Sequence, residues 1–176
     1  MSKRDELAII AMSNAQRCFH GNVMGLKSNI APIIDLFPKW SLENWDNIWC
    51  AAFVYYCCIE AGFNLPVKYP DESVPNNFAG CNAWEAWAKL SINQFYYSSD
   101  IEKFIPAKGD LVLYDEVFTN SPHDHIGIII ENKMDTIVVA EGNIGNVSGV
   151  VERVKDRHIR GYIRIPSDYQ FTDIKI

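Results

Sequence analysis

The sequence predicts an α+β fold, with N-terminal helices packed on a mostly antiparallel β-sheet of about five or six strands. Three observations carry this. In the first half of the 176-residue chain, apolar residues recur at helical spacing. From Pro106 onward they fall into short stretches separated by turn residues. Those turns are short, which favours antiparallel neighbours over long crossovers. No internal repeat, linker or low-complexity run divides the chain, so residues 1–176 read as one domain.

The elements follow in order. Leu7, Ile10, Ala11, Asn14 and Ala15 fall on one face of an N-terminal amphipathic helix. A second, short helix is expected over residues 29–36, ended by Pro38. An aromatic, acidic loop follows, containing Trp40 and Trp45. The clearest helix starts near Cys50, with Asp46 or Asn47 as its cap. Cys50, Phe53, Val54, Cys57 and Ala61 line one face of it, and Gly62 stops it before Pro66. A loop over residues 68–80 leads to a helix over 82–90, with Trp84, Trp87 and Ala88 inward. Gly109-Asp110 then turns into a strand at 111–114. Further strands are expected at 125–130, 136–140, 149–154 and 161–165, the second and third joined by a hairpin turn at 132–135.

Composition bounds the function. Hydrophobic residues make up 48% and charged residues 22%, enough for a real core. Sixteen Lys+Arg against 22 Asp+Glu give a net charge of −6, so no basic excess exists to neutralise nucleic-acid phosphates. No stretch approaches the roughly 20 apolar residues of a bilayer span. Asp5 and Glu6 interrupt the basic start, and residues 7–12 are too short an apolar run for a secretory leader. A cytoplasmic location is therefore expected, with delivery by a phage-type or secretion-machine route as the alternative. The oligomeric state is not legible.

The five cysteines, Cys18, Cys50, Cys57, Cys58 and Cys81, form no C-x-x-C and read as reduced thiols. Four of them read as small packed side chains. Cys50 differs because it lies near a helix start, where a thiolate is favoured. His125 opens a strand, and Glu141 and Asn143 lie just after the next one. A cysteine needs a base to ionise it, and the imidazole needs a third group to orient it. The hairpin brings His125 near that third group. His123-Asp124-His125 lacks a second pair of ligands, so no metal and no cofactor is expected; His123 reads as a surface histidine. The charges around Arg153, Lys155 and Arg157 read as a solvated face. Trp45 and Trp49, beside the cysteine, are candidates for a substrate groove or for core anchors.

The strings WCAAFVYYCCIEAG, PAKGDLVLYD, DHIGIIIE, VVAEGN and IRGYIRIP occur in this order with sensible spacing. Together they resemble the CHAP family, the cysteine, histidine-dependent amidohydrolases/peptidases of the papain-like superfamily. The resemblance covers residues 45–166, leaving 1–40 as an N-terminal helical extension. It implies that Cys50 is the nucleophile and His125 the general base, with Glu141 and Asn143 orienting and polarising the histidine. Asp124 departs from the glycine common before the histidine; its carboxylate is a candidate for raising the histidine pKa by attraction or for binding substrate, with a side chain facing solvent as the alternative. The resemblance implies amide or peptide cleavage through a thioester, with a peptide or peptidoglycan fragment as substrate. Two alternatives stay open: an intracellular amidase on a small conjugate such as glutathionylspermidine, and a catalytically weak binding module.

Overall fold

The computed structural model describes residues 1–37, 46–66, 74, 76–101 and 103–171. Among them, four helices pack against one six-stranded sheet. Helix α1 (Lys3–Gln16) opens with a capping box. The Ser2 hydroxyl accepts from the Asp5 N–H at 3.2 Å, and the Asp5 carboxylate accepts from the Ser2 N–H at 3.1 Å. Its buried residues, Leu7, Ala8, Ala11, Asn14 and Ala15, nearly match the expected face; Ile10 is only partly buried. Helix α2 (Ala31–Ile34) is a single turn, shorter than expected.

Helix α3 (Cys50–Glu60) is buried on nearly every side, including Cys50 to Tyr55, Cys57 and Cys58. The expected cap is corrected. Trp49 holds the N-cap position without any side-chain acceptor. Asn47 has φ +64°, and the Asp46 carboxylate instead accepts from the Asn22 N–H at 2.9 Å. The first N–H groups of α3 are therefore not consumed by a side-chain cap. At the other end Gly62, at φ +76°, closes a Schellman motif: Gly62 N–H reaches Ile59 O and Phe63 N–H reaches Cys58 O, both at 3.0 Å. Helix α4 (Cys81–Ala88) buries Trp84 and Trp87, which meet Phe78 at ring-centroid distances of 4.5 and 5.2 Å.

The strands are β1 (Tyr96–Ser98), β2 (Leu111–Tyr114), β3 (His125–Asn132), β4 (Thr136–Ile144), β5 (Val147–Val154) and β6 (Ile159–Ile163). Their order in the sheet is β1-β6-β2-β3-β4-β5, and every pairing is antiparallel. Strand β1 was not expected. Strand β4 runs on past the predicted end, so Glu141 and Asn143 lie within it rather than after it. Alternation then sorts the side chains. Leu111, Leu113, Ile126, Ile128 and Ala140 join the large core beneath the helices. Val112, Tyr114, Ile129, Ile137 and Val139 form a smaller cluster on the opposite face. Asp110, fully buried, secures the turn into β2 by accepting from the Ala107 N–H at 2.8 Å and from Arg164 at 2.6 Å. No helix among the described residues is long and apolar enough to cross a membrane.

Candidate active site

Cys50 is the first residue of α3 and is 7% exposed. Its thiol is held well below the ordinary cysteine value. A contact with the Cys81 sulfur is the largest cause; the His125 imidazole and the Ala51 backbone N–H add to it, and together they outweigh burial. The two sulfurs lie 3.6 Å apart.

His125, the first residue of β3, is 1% exposed. Its Nε2 lies 2.8 Å from Glu141 Oε2, leaving Nδ1 as the nitrogen free for Cys50. Tyr114 stacks against the ring at 5.9 Å, and Phe118 meets it edge-on at 4.8 Å, so the imidazole plane is fixed. Burial alone would push His125 down. The interactions with Cys50 and Glu141 outweigh it and raise the ring to about 9. Burial would likewise raise Glu141, but hydrogen bonds from His125 and Arg153 win, and its carboxyl is held low. Arg153 donates from Nε to Oε1 at 2.9 Å and from Nη2 to Oε2 at 2.5 Å. This forked pairing keeps a fully buried carboxylate ionised.

Two glycines make the geometry possible. Ile128 pairs with Ala140 across β3 and β4, which in the same register sets Gly127 opposite Glu141. Glu141 reaches diagonally across Gly127 to His125. A Cβ at Gly127 would sit 2.8 Å from Glu141 Cγ and 2.4 Å from Val139 Cγ1. At Gly142 a Cβ would lie 2.5 Å from Phe53 Cβ, so this glycine lets β4 approach the start of α3.

The other candidates lie as follows. Asn143, at φ +63°, donates to Asn47 O at 2.9 Å and not to His125. Asp124 accepts from the Phe118 and Thr119 N–H groups at 2.7 and 2.9 Å, which presents Phe118 to the histidine ring. Trp49 is fully buried; its Nε1 donates to Asn146 Oδ1 at 2.8 Å and its ring packs on Phe53, so it anchors the core instead of walling a groove. Trp45 and Trp40 lie outside the described residues. His123 is no free surface histidine: it sits at φ +56° before β3, and its Nε2 bonds the buried Glu85. It therefore does not share a strand face with His125. No group of three or more metal-ligating side chains occurs among the described residues.

A cleft of about 610 Å³ opens onto Cys50. Cys81, Ile48, Phe118, Asp124 and Asn143 also line it, and no described Lys or Arg does. Asp124 Oδ1 and Asn143 Oδ1 are buried without a hydrogen-bond partner among the described residues.

Sequence reasoning missed three residues here. From the sequence Cys81 reads as ordinary packing, and only the meeting of two helix starts reveals it. Arg153 reads from the sequence as part of a solvated face; the β4–β5 register sets it opposite Ile137, on the face that Glu141 shares, and its long side chain runs along the sheet to that carboxylate. Asn146 ties Asn47, Trp49 and Asp46 to the β4–β5 turn, and its only signal was a Gly-Asn turn pair.

The CHAP domain family model matches residues 42–143, a span containing Cys50, Cys81, His125, Glu141 and Asn143 but ending before Arg153. Neither a curated protein nor a solved structure matches the chain.

Proposed function

The chain belongs to the CHAP domain family of cysteine, histidine-dependent amidohydrolases and peptidases, and from that membership we propose that Cys50, His125 and Glu141 hydrolyse amides in peptidoglycan peptides. The observation that carries the assignment of roles is the buried 2.8 Å contact between His125 and Glu141 beside a cysteine whose thiol is held well below its ordinary value.

The chemistry follows from the charges. The Cys50 thiolate attacks the amide carbon. The developing oxyanion takes the Cys50 backbone N–H at the uncapped start of α3. His125, as imidazolium, gives its proton to the nitrogen, and the C–N bond breaks. This leaves a thioester on Cys50 and a free amine. Neutral His125 then takes a proton from water, the hydroxide attacks the thioester, and thiolate and carboxylic acid separate. Glu141 stabilises the imidazolium through both halves. Arg153 keeps Glu141 ionised and in place.

Two features support a short peptide as substrate. The cleft has the volume of a few residues. Its wall carries polar side chains suited to an amide backbone, among them Asn47, Asn76, Asn77, Asp124 and Asn143. Purified protein incubated with peptidoglycan fragments is expected to release new amine termini, and Cys50→Ser to abolish that release with the fold intact. Absence of cleavage by wild type across wall chemotypes overturns the substrate. Iodoacetamide near pH 6 tests the nucleophile separately: Cys50 is expected to label well ahead of the other four cysteines, and equal labelling overturns its role.

A further inference from the structure

Cys81 opens α4 as Cys50 opens α3, and the two sulfurs stand 3.6 Å apart. Both thiols are free, both are 7% exposed, and both line the cleft. At this distance the S–H of one thiol reaches the other sulfur, and either could be the donor. His125 from β3, backed by Glu141 of β4 and Arg153 of β5, and the Ala51 N–H all favour the anion on Cys50. Cys81 faces the Cys50 charge and the Asp124 carboxylate, and both keep its own proton in place. Cys81 is also firmly mounted. Trp84 and Trp87 root α4 in the core, and Glu85 on the same helix accepts from Arg160 at 2.5 Å.

We infer that Cys81 is a positioning residue of the active site: its neutral thiol donates an S–H···S hydrogen bond to the Cys50 thiolate and holds that sulfur in the cleft. This rests on Cys50 being the nucleophile. The bond has two opposed effects. It favours the thiolate, so more of the enzyme is active in mildly acidic solution. It also draws charge from the sulfur, so each thiolate is a somewhat weaker nucleophile. A role confined to packing would not produce that reversal.

The test measures the rate of Cys50 alkylation by iodoacetamide against pH, resolved by mass spectrometry, on the full chain. Wild type is compared with Cys81→Ala, Cys81→Val and Cys81→Ser. In the Ala and Val variants the acid limb is expected to move up by roughly one pH unit, with about tenfold slower labelling below it. At alkaline pH the same variants are expected to label as fast as wild type or up to about threefold faster. Cys81→Ser keeps a donor and is expected to retain the wild-type limb. Superimposable profiles for wild type and the donorless variants overturn the inference, as does a Ser variant shifted as far as Ala. If wild-type Cys50 labels no faster than the other cysteines, the nucleophile assignment falls too. Fast wild-type labelling with unshifted variants removes the role of Cys81 alone.

Discussion

Cys50 titrates below its ordinary value and His125 above it, at about 9, so thiolate and imidazolium coexist between those limits. The kcat/KM profile is therefore expected to plateau between an acid limb set by Cys50 and a basic limb set by His125. It is expected to fall as the pH passes about 9 and His125 loses its proton. Glu141→Gln removes the charge that holds the imidazolium. Its basic limb is expected at lower pH, with activity down by roughly two to four orders of magnitude. Asn143→Ala is expected to leave the basic limb in place, because that amide bonds Asn47 O and not the ring. A pH–rate profile of the two variants checks both outcomes. The sequence could not choose between these residues. They stand two apart after the same apolar run, and alternation alone assigns them one face. The left-handed backbone at Asn143 turns it away, and nothing in an asparagine's neighbours announces that conformation.

At the scale of elements, most strands were legible from short apolar runs between turn residues, and α3 from a long apolar run that Gly62 stops, although it is buried on nearly every side. Strand β1 was not, because three partly buried residues carry no period; it is a strand because β6 pairs with it, Tyr97 opposite Tyr162. The β3–β4 pair is the part of the site most exposed to a small change. Gly127→Ala inserts a methyl group under Glu141. It is expected to cost about 1–3 kcal/mol of stability, read as a lower melting temperature. Activity is expected to fall further than stability accounts for, by about a hundredfold, because Glu141 is displaced from His125. A second junction joins α4, β6 and the loop before β3: Glu85 bonds Arg160, His123 and Lys89, and Arg160 reaches Asp115 at 3.1 Å. Its partners outweigh burial and depress Glu85 from 4.5 to about 2. A depressed carboxyl contributes stability in full above its unfolded value and loses it as pH falls through the folded one. Melting temperatures of wild type and Glu85→Gln are therefore expected to differ most above about pH 5 and to converge toward pH 2.

Across the whole molecule, the net charge of −6 and a cleft without described Lys or Arg set how it meets large substrates. An anionic wall polymer is repelled at long range, and salt screens that repulsion over about 10 Å at 0.1 M. Cleavage of intact anionic walls is therefore expected to accelerate as salt is raised, while cleavage of a neutral soluble peptide stays flat. Rates on both substrates across a salt series check this. The sheet order has a further consequence. Because β6 lies between β1 and β2, a chain leaving the ribosome presents β2 with one open edge until residue 163 has emerged. Throughout that interval the hydrogen-bonding rim of Leu111 to Tyr114 is a template for any neighbouring nascent chain. Crowded synthesis is thus a stage at which this rim is open to misassembly, and slotting in β6 closes it, leaving β1 and β5 as the edges of the finished sheet.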